Sequence, residues 1–495
     1  MKLAELNEKF LVITGFVTIF VCLAATYWFS EKIPFNGGFG WDGAIYARMV
    51  EHFQEDLAAG KIDAYYIKRI LPSLLVMLPA RVAGIQITGS YIINGFIIAN
   101  IVNIGIVLFY WLRTSRLLNL TTERTMVGVC LLVMCFPVIK FHAYLPVLTD
   151  SFAYSTAMMS MYYYLAGKKL KLALVVFLSF FIWNGAVYSG ILLLLFPRDV
   201  RMSVSDAHYV RLRNLIPNLL VMAALYVIIW VLFIKKISIS SPGYVTELNW
   251  VLLPFSISAV LGYVWWVARC AAESVYRQKS ANIVGLSNVN MMSVASVLIA
   301  SALILVFQKY ISHGYGFRST IQIGIMMWCS IKQPLMFLVA GTTYYGLTVP
   351  FMSLDLKGCL RRSHELGLGF MLSLIYGLTL GISAEPRFYI NILPLMVLVI
   401  ILSERFDNLT RKQWVILLTA QFCFSKAWLS IQANPLDFET LQSPVAQRLF
   451  MNIGTWMSDK NYLYHLLATF IAIALVAQFF KPKRIILPVN LSGGK

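Results

Sequence analysis

The sequence predicts an all-α, polytopic transmembrane helical bundle with about 12–14 membrane-crossing segments. Three observations predict it. Of 495 residues, 59% are hydrophobic and 13% charged, about half the charge density of an average soluble domain and too little to coat a water-facing surface. Apolar runs approaching the roughly 20 residues that cross a hydrocarbon core recur from end to end. The basic residues segregate into alternate loops between those runs.

The runs are 11–29, 91–112, 126–139, 152–166, 215–234, 250–268, 291–307, 334–349, 366–382, 389–402, 414–429 and 463–480. Several are short, which suggests thin or broken segments around a cavity. The first lacks a small-residue cleavage site followed by a polar start, so it reads as a retained span. Run 172–196 reads as one long helix or as two short ones meeting near Trp183-Asn184-Gly185.

Charge arbitrates. With a cytoplasmic N-terminus and a 172–196 hairpin, the loops 113–124, 168–171, 197–214, 269–290, 355–365 and 403–412 and both tails lie inside. They hold 25 of the 41 Lys+Arg and 10 of the 22 Asp+Glu, or +15 against +4 elsewhere. A single helix would place the later basic loops outside, so the hairpin is preferred. Loop enrichment accounts for the net charge of +19 without nucleic acid. Attraction to membrane lipids or a phosphorylated lipid is the functional reading. Seven cysteines, an odd number without a C-x-x-C, indicate neither a disulfide framework nor a thiolate metal site. The expectation is one transmembrane domain, with no separate soluble domain and with outer loops at 30–90, 309–333 and 430–462.

The outer side collects the unusual residues. Gly40-Trp41-Asp42-Gly43-Ala44-Ile45-Tyr46 precedes a stretch with Ile45, Met49, Val50, Phe53 and Leu57 at helical spacing, the pattern of an amphipathic helix lying on the membrane surface. Asp42 at its start and Asp150 at the start of run 152–166 are both in position to be N-caps. Carboxylates this close to the membrane interior are costly, however, and usually serve a site. Ala384-Glu385-Pro386-Arg387-Phe388-Tyr389 joins two apolar runs. Its Glu and Arg either pair with each other, or the guanidinium offers a fork to a lipid phosphate. Arg48, Arg69, Lys140, His142, His313, Arg318 and Lys332 are further outer-side cations. For Lys332 snorkelling is the simpler reading, and for Arg48 and Arg69 lipid head groups are the alternative to a bound phosphate.

A carboxylate at a membrane boundary can take a proton from an acceptor hydroxyl, while neighbouring cations stabilise a departing lipid phosphate. Trp41-Asp42-Gly43-Ala44-Ile45-Tyr46, Lys68-Arg69-Ile70-Leu71-Pro72, Thr149-Asp150 and Glu385-Pro386-Arg387-Phe388 together resemble the GT-C superfamily of membrane glycosyltransferases, which use polyprenyl-phosphate sugar donors. The resemblance covers most of the chain in topology but only short motifs in sequence. It has no DxD pair and no HKxE-type run.

The resemblance implies inversion at the sugar's anomeric carbon. Asp42 would be the general base, with Asp150 and Glu385 positioning sugar or acceptor. Arg387, with Arg69, Arg318, Lys332 and His313, would bind the lipid phosphate, and Trp41, Tyr46 and Tyr389 would position substrate. It also implies a glycan, lipid or protein acceptor. No metal is expected to be obligatory; a Mg or Mn ion would take Asp42 and Asp150 as ligands. The expected setting is a bacterial inner membrane, with both termini cytoplasmic and the site facing the periplasm. A flippase or transporter of a lipid-linked sugar, a surface-polysaccharide polymerase or ligase, and a structural membrane subunit are the other readings. The first is disfavoured by the lack of an internal repeat.

Overall fold

The computed structural model of the protein describes residues 3–198, 206–234, 248–276, 327–429 and 459–481, with a few isolated positions between them. Every regular element among them is a helix. Four helices are long and apolar enough to cross a membrane: Gly89–Leu117, Leu215–Leu232, Leu253–Ser274 and Asp459–Phe479. A bent pair, Thr122–Val133 and Pro137–Tyr144, makes a fifth, with 53° between its axes. These apolar lengths identify a helical membrane protein. The 12–14 predicted crossings would require shorter helices to count as well, among them Thr14–Phe29, Asn184–Leu195 and Leu368–Ser383.

Breaks within the apolar runs have local causes. The bend in run 126–139 follows Pro137, which opens a π-type turn over Pro137–Phe141; proline removes a backbone donor there. Run 334–349 divides into Met336–Tyr345 and Thr348–Leu354 at Gly346, whose φ is +61°. Run 389–402 begins as a 3-10 turn, Pro386–Asn391, and turns α-helical at Leu393–Ile401. Most of run 291–307, almost all of loop 430–462 and most of loop 309–333 lie outside the described residues.

The first helix is α1, Leu3–Phe29. The loop after it carries α2 (Asp42–Ala58), α3 (Ala64–Ile67) and α4 (Ile70–Ala83). Helix α2 forms where amphipathic spacing predicts, but its apolar face is covered by protein rather than lipid. Tyr46, Ala47, Met49 and Val50 are buried, and the Ser73 hydroxyl donates to the Tyr46 carbonyl (3.2 Å). It is α4 that turns Leu75, Leu78 and Val82 outward, the apolar face suited to lipid.

Helices α5 (Gly89–Leu117), α6 (Thr122–Val133) and α7 (His142–Tyr144) lead to α8 (Asp150–Leu165), which is buried around nearly its whole circumference. Asn100 and Asn103 of α5 accept from Ser151 and Ser155 of α8, both at 2.5 Å. Run 172–196 is indeed two helices, α9 (Lys169–Ser179) and α10 (Asn184–Leu195). A Cβ on Gly190 would lie 2.6 Å from Val176 Cγ2, so the two legs run side by side as a hairpin. Its tip is pinned to α4 by the Leu71 amide, which donates to the Phe181 carbonyl (3.0 Å). This brings Trp183 against Arg69, at the N-terminal end of α4.

Candidate functional site

Glycines seat Asp42. Gly40 has φ +74°, which disfavours any other residue, and a Cβ there would sit 2.5 Å from Leu145 Cδ2. A Cβ on Gly43 would sit 2.7 Å from the Val147 carbonyl oxygen. The start of α2 therefore lies directly on the segment leading into α8. Asp42 does not cap its helix: Trp41 holds the cap position, and no side-chain cap bond is made there. The Asp42 carboxylate turns instead to Arg387 and Tyr66. Arg387 Nη1 lies 3.8 Å from Oδ2, and the Tyr66 hydroxyl lies 3.5 Å from Oδ1.

Arg387 sits in the turn before Leu393–Ile401, where Ala384 takes a left-handed φ of +52°. Its Nε donates to Glu385, so the pairing within the turn and the reach across the site both occur. A second guanidinium completes the group. Arg69 is 4% exposed. It stacks on Trp183 (4.0 Å to the ring centroid) and on Tyr65 (4.4 Å), and donates to the Tyr46 hydroxyl (3.2 Å). Arg387 also faces the Trp183 indole, at 5.8 Å. Such desolvated cation–π contacts are worth about 2 kcal/mol each. Burial pushes the Tyr46 phenol up to about 12, against the pull of Arg69.

Asp150 likewise opens α8 without capping it; Thr149 holds the cap position. It is 1% exposed, and neither carboxylate oxygen has a hydrogen-bond partner. The charges within its electrostatic reach are Arg387, Arg69, Asp42 and Glu385. Burying an unbonded carboxylate costs several kcal/mol. A cost of that kind that packing does not require singles out Asp150 as a candidate site residue. Three carboxylates and two guanidinium groups, drawn from α2, the cap of α4, α8 and the 384–391 turn, therefore share one neighbourhood.

Other predicted residues go elsewhere. Lys332 is fully buried and donates to the Met457 carbonyl (2.8 Å). It does not snorkel, and both it and Glu385 lie within electrostatic reach of Cys329. The Tyr389 ring packs against Tyr345 (6.0 Å between centroids) and over Gly381, where any Cβ would overlap its hydroxyl; it is a packing residue. Trp41 stacks on Phe35 (5.4 Å). Tyr46 is fully buried and supports Arg69 rather than facing a substrate. Arg48 forks onto Asp56 (2.7 and 2.8 Å), and Lys140 pairs with Glu31 (2.7 Å). His142 is buried with both ring nitrogens unbonded. Arg318 and His313 lie outside the described residues.

Sequence reasoning gave Tyr65 and Tyr66 no role and placed Trp183 only at the break in run 172–196. The one available signal was an aromatic pair one residue ahead of Lys68-Arg69.

Among the described residues, no three His, Cys, Asp or Glu side chains are placed to share a metal ion. Both Asp42 oxygens already face a guanidinium and a phenol, and two guanidinium groups flank the acids. No known protein family matches the chain, and neither the curated proteins nor the solved structures include a significant match.

Proposed function

We propose that the protein is a membrane glycosyltransferase that moves a sugar from a polyprenyl-phosphate donor to an acceptor hydroxyl, at the extracytoplasmic face of a bacterial inner membrane. The observation that carries the reading is the approach of Asp42 to Arg387 (3.8 Å). It sets a carboxylate with 29% of its side chain accessible beside a guanidinium able to grip phosphate oxygens. Asp42 takes the acceptor's proton as the acceptor oxygen bonds to the anomeric carbon. The bond from that carbon to the phosphate oxygen breaks, and the polyprenyl phosphate leaves against Arg387 and Arg69. Displacement from the opposite face inverts the anomeric centre. Glu385 holds the Arg387 fork in orientation, and the buried Asp150 keeps both cations at the site.

The test uses protein in lipid nanodiscs with short-chain polyprenyl-phosphate glucose, galactose or mannose. Release of labelled hexose is followed to water and to added glycans. Loss of a general base removes about 10²–10⁴-fold of rate. Asp42→Asn should therefore lower turnover at least 100-fold with an unchanged unfolding temperature. Full turnover in that variant rejects the reading.

A further inference from the structure

We propose that Tyr66 is the positioning residue of Asp42, its phenol holding the carboxylate in place while Arg387 is engaged with phosphate; this rests on Asp42 being the general base. The two contacts to the Asp42 carboxylate differ in kind. Arg387 reaches Oδ2 at 3.8 Å but also donates to Glu385, and it is the group a donor phosphate would recruit. Tyr66 reaches Oδ1 at 3.5 Å and is neutral. Once the fork turns to phosphate, the Tyr66 hydroxyl is the contact left to Asp42. At 3.5 Å the contact is longer than an ordinary O–H···O bond, and catalytic contacts are often long until substrate tightens them. A carboxylate has about four lone-pair positions, so one phenol leaves room for the acceptor proton.

The local structure aims the phenol. Asp63 caps α3, accepting from the Tyr65 amide (2.6 Å), and the Asp63 carbonyl accepts from the Tyr66 amide (3.0 Å). The Tyr66 ring is held edge-on by Tyr46 (5.8 Å) and Tyr65 (5.0 Å). Arg69 fixes both of those rings, bonding one and stacking on the other. The platform that grips one cation thus orients the base. Burial, followed by the charge of Asp42, raises the Tyr66 phenol above its ordinary value, so it remains a donor at any working pH.

Tyr66→Phe keeps the ring contacts and removes only the hydroxyl. A hydrogen bond to a charged group is worth roughly 1.5–3 kcal/mol, or about 10–100-fold. In the nanodisc hydrolysis assay, kcat should fall at least 10-fold while donor KM stays within about 2-fold. In an Asp42→Asn background the change should add nothing. A second readout needs no substrate: water-soluble carbodiimide at pH 6, followed by mass spectrometry, should label Asp42 several-fold faster in Tyr66→Phe. Unchanged labelling, or wild-type kcat in Tyr66→Phe, overturns the proposal. Wild-type turnover by Asp42→Asn alone would instead reject the transferase reading.

Discussion

Gly43→Ala tests how the site is assembled. The added methyl would meet the Val147 carbonyl oxygen at 2.7 Å and Val147 Cβ at 3.2 Å. An ordinary contact begins near 3.4 Å, so the start of α2 must move away from the 145–149 segment by about 0.5–0.7 Å. The obstructing atom belongs to the backbone and cannot rotate aside. Overpacking of this kind costs about 1–3 kcal/mol. The same shift carries Asp42 relative to Arg387 and Asp150, and displacements approaching 1 Å cost up to about 10²-fold in rate. Thermal unfolding in nanodiscs should show the stability loss, and hexose release should fall about 10–100-fold. Wild-type unfolding and wild-type turnover together would refute the argument that the Gly43–Val147 approach places Asp42.

Two other predictions concern the scaffold. Gly190→Ala should destabilise by about 1–3 kcal/mol, because its Cβ would lie 2.6 Å from Val176 Cγ2 and valine is stiff at χ1. Adding Val176→Ala should recover at least half of that loss in a double-mutant cycle of thermal unfolding; additive losses would disprove side-by-side packing of α9 and α10. The Arg48 hydrogen bonds hold the Asp56 carboxyl below its usual range. Its contribution to α2 is therefore fully present above the unfolded value, near 3.9, and is lost as pH falls through the lower folded value. Hydrogen exchange across 48–58, corrected for intrinsic rate, should stay constant from pH 8 to 5 and accelerate below about pH 4. Acceleration already at pH 6 would exclude this pair as the cause.

Much of the fold was legible because a bilayer imposes one-dimensional rules. A hydrocarbon core demands apolar runs with internally bonded backbone, and these are visible without any partner. The division of run 172–196 followed from charge alone, since only a hairpin left the later basic loops on one side. Asp42, Asp150, Glu385 and Arg387 stood out for a related reason: isolated charges beside apolar runs are costly, whatever surrounds them.

What those charges face was not legible. Lys332 looked like an interfacial cation and is a buried donor to Met457; Tyr389 looked like a substrate contact and fills space beside Gly381. Capping was open to Asp42 and Asp150, and neither caps. By itself the sequence determined the helical membrane character, the hairpin and which charged residues were too costly to be incidental, because burial cost and periodicity are properties of a residue and its near neighbours. Only the tertiary structure decided that Asp42 meets Arg387 from the far end of the chain, that Trp183 contacts both Arg69 and Arg387, and that Tyr66 aims at Asp42. Contacts between distant segments depend on how helices pack, and packing leaves no periodic trace in the order of residues.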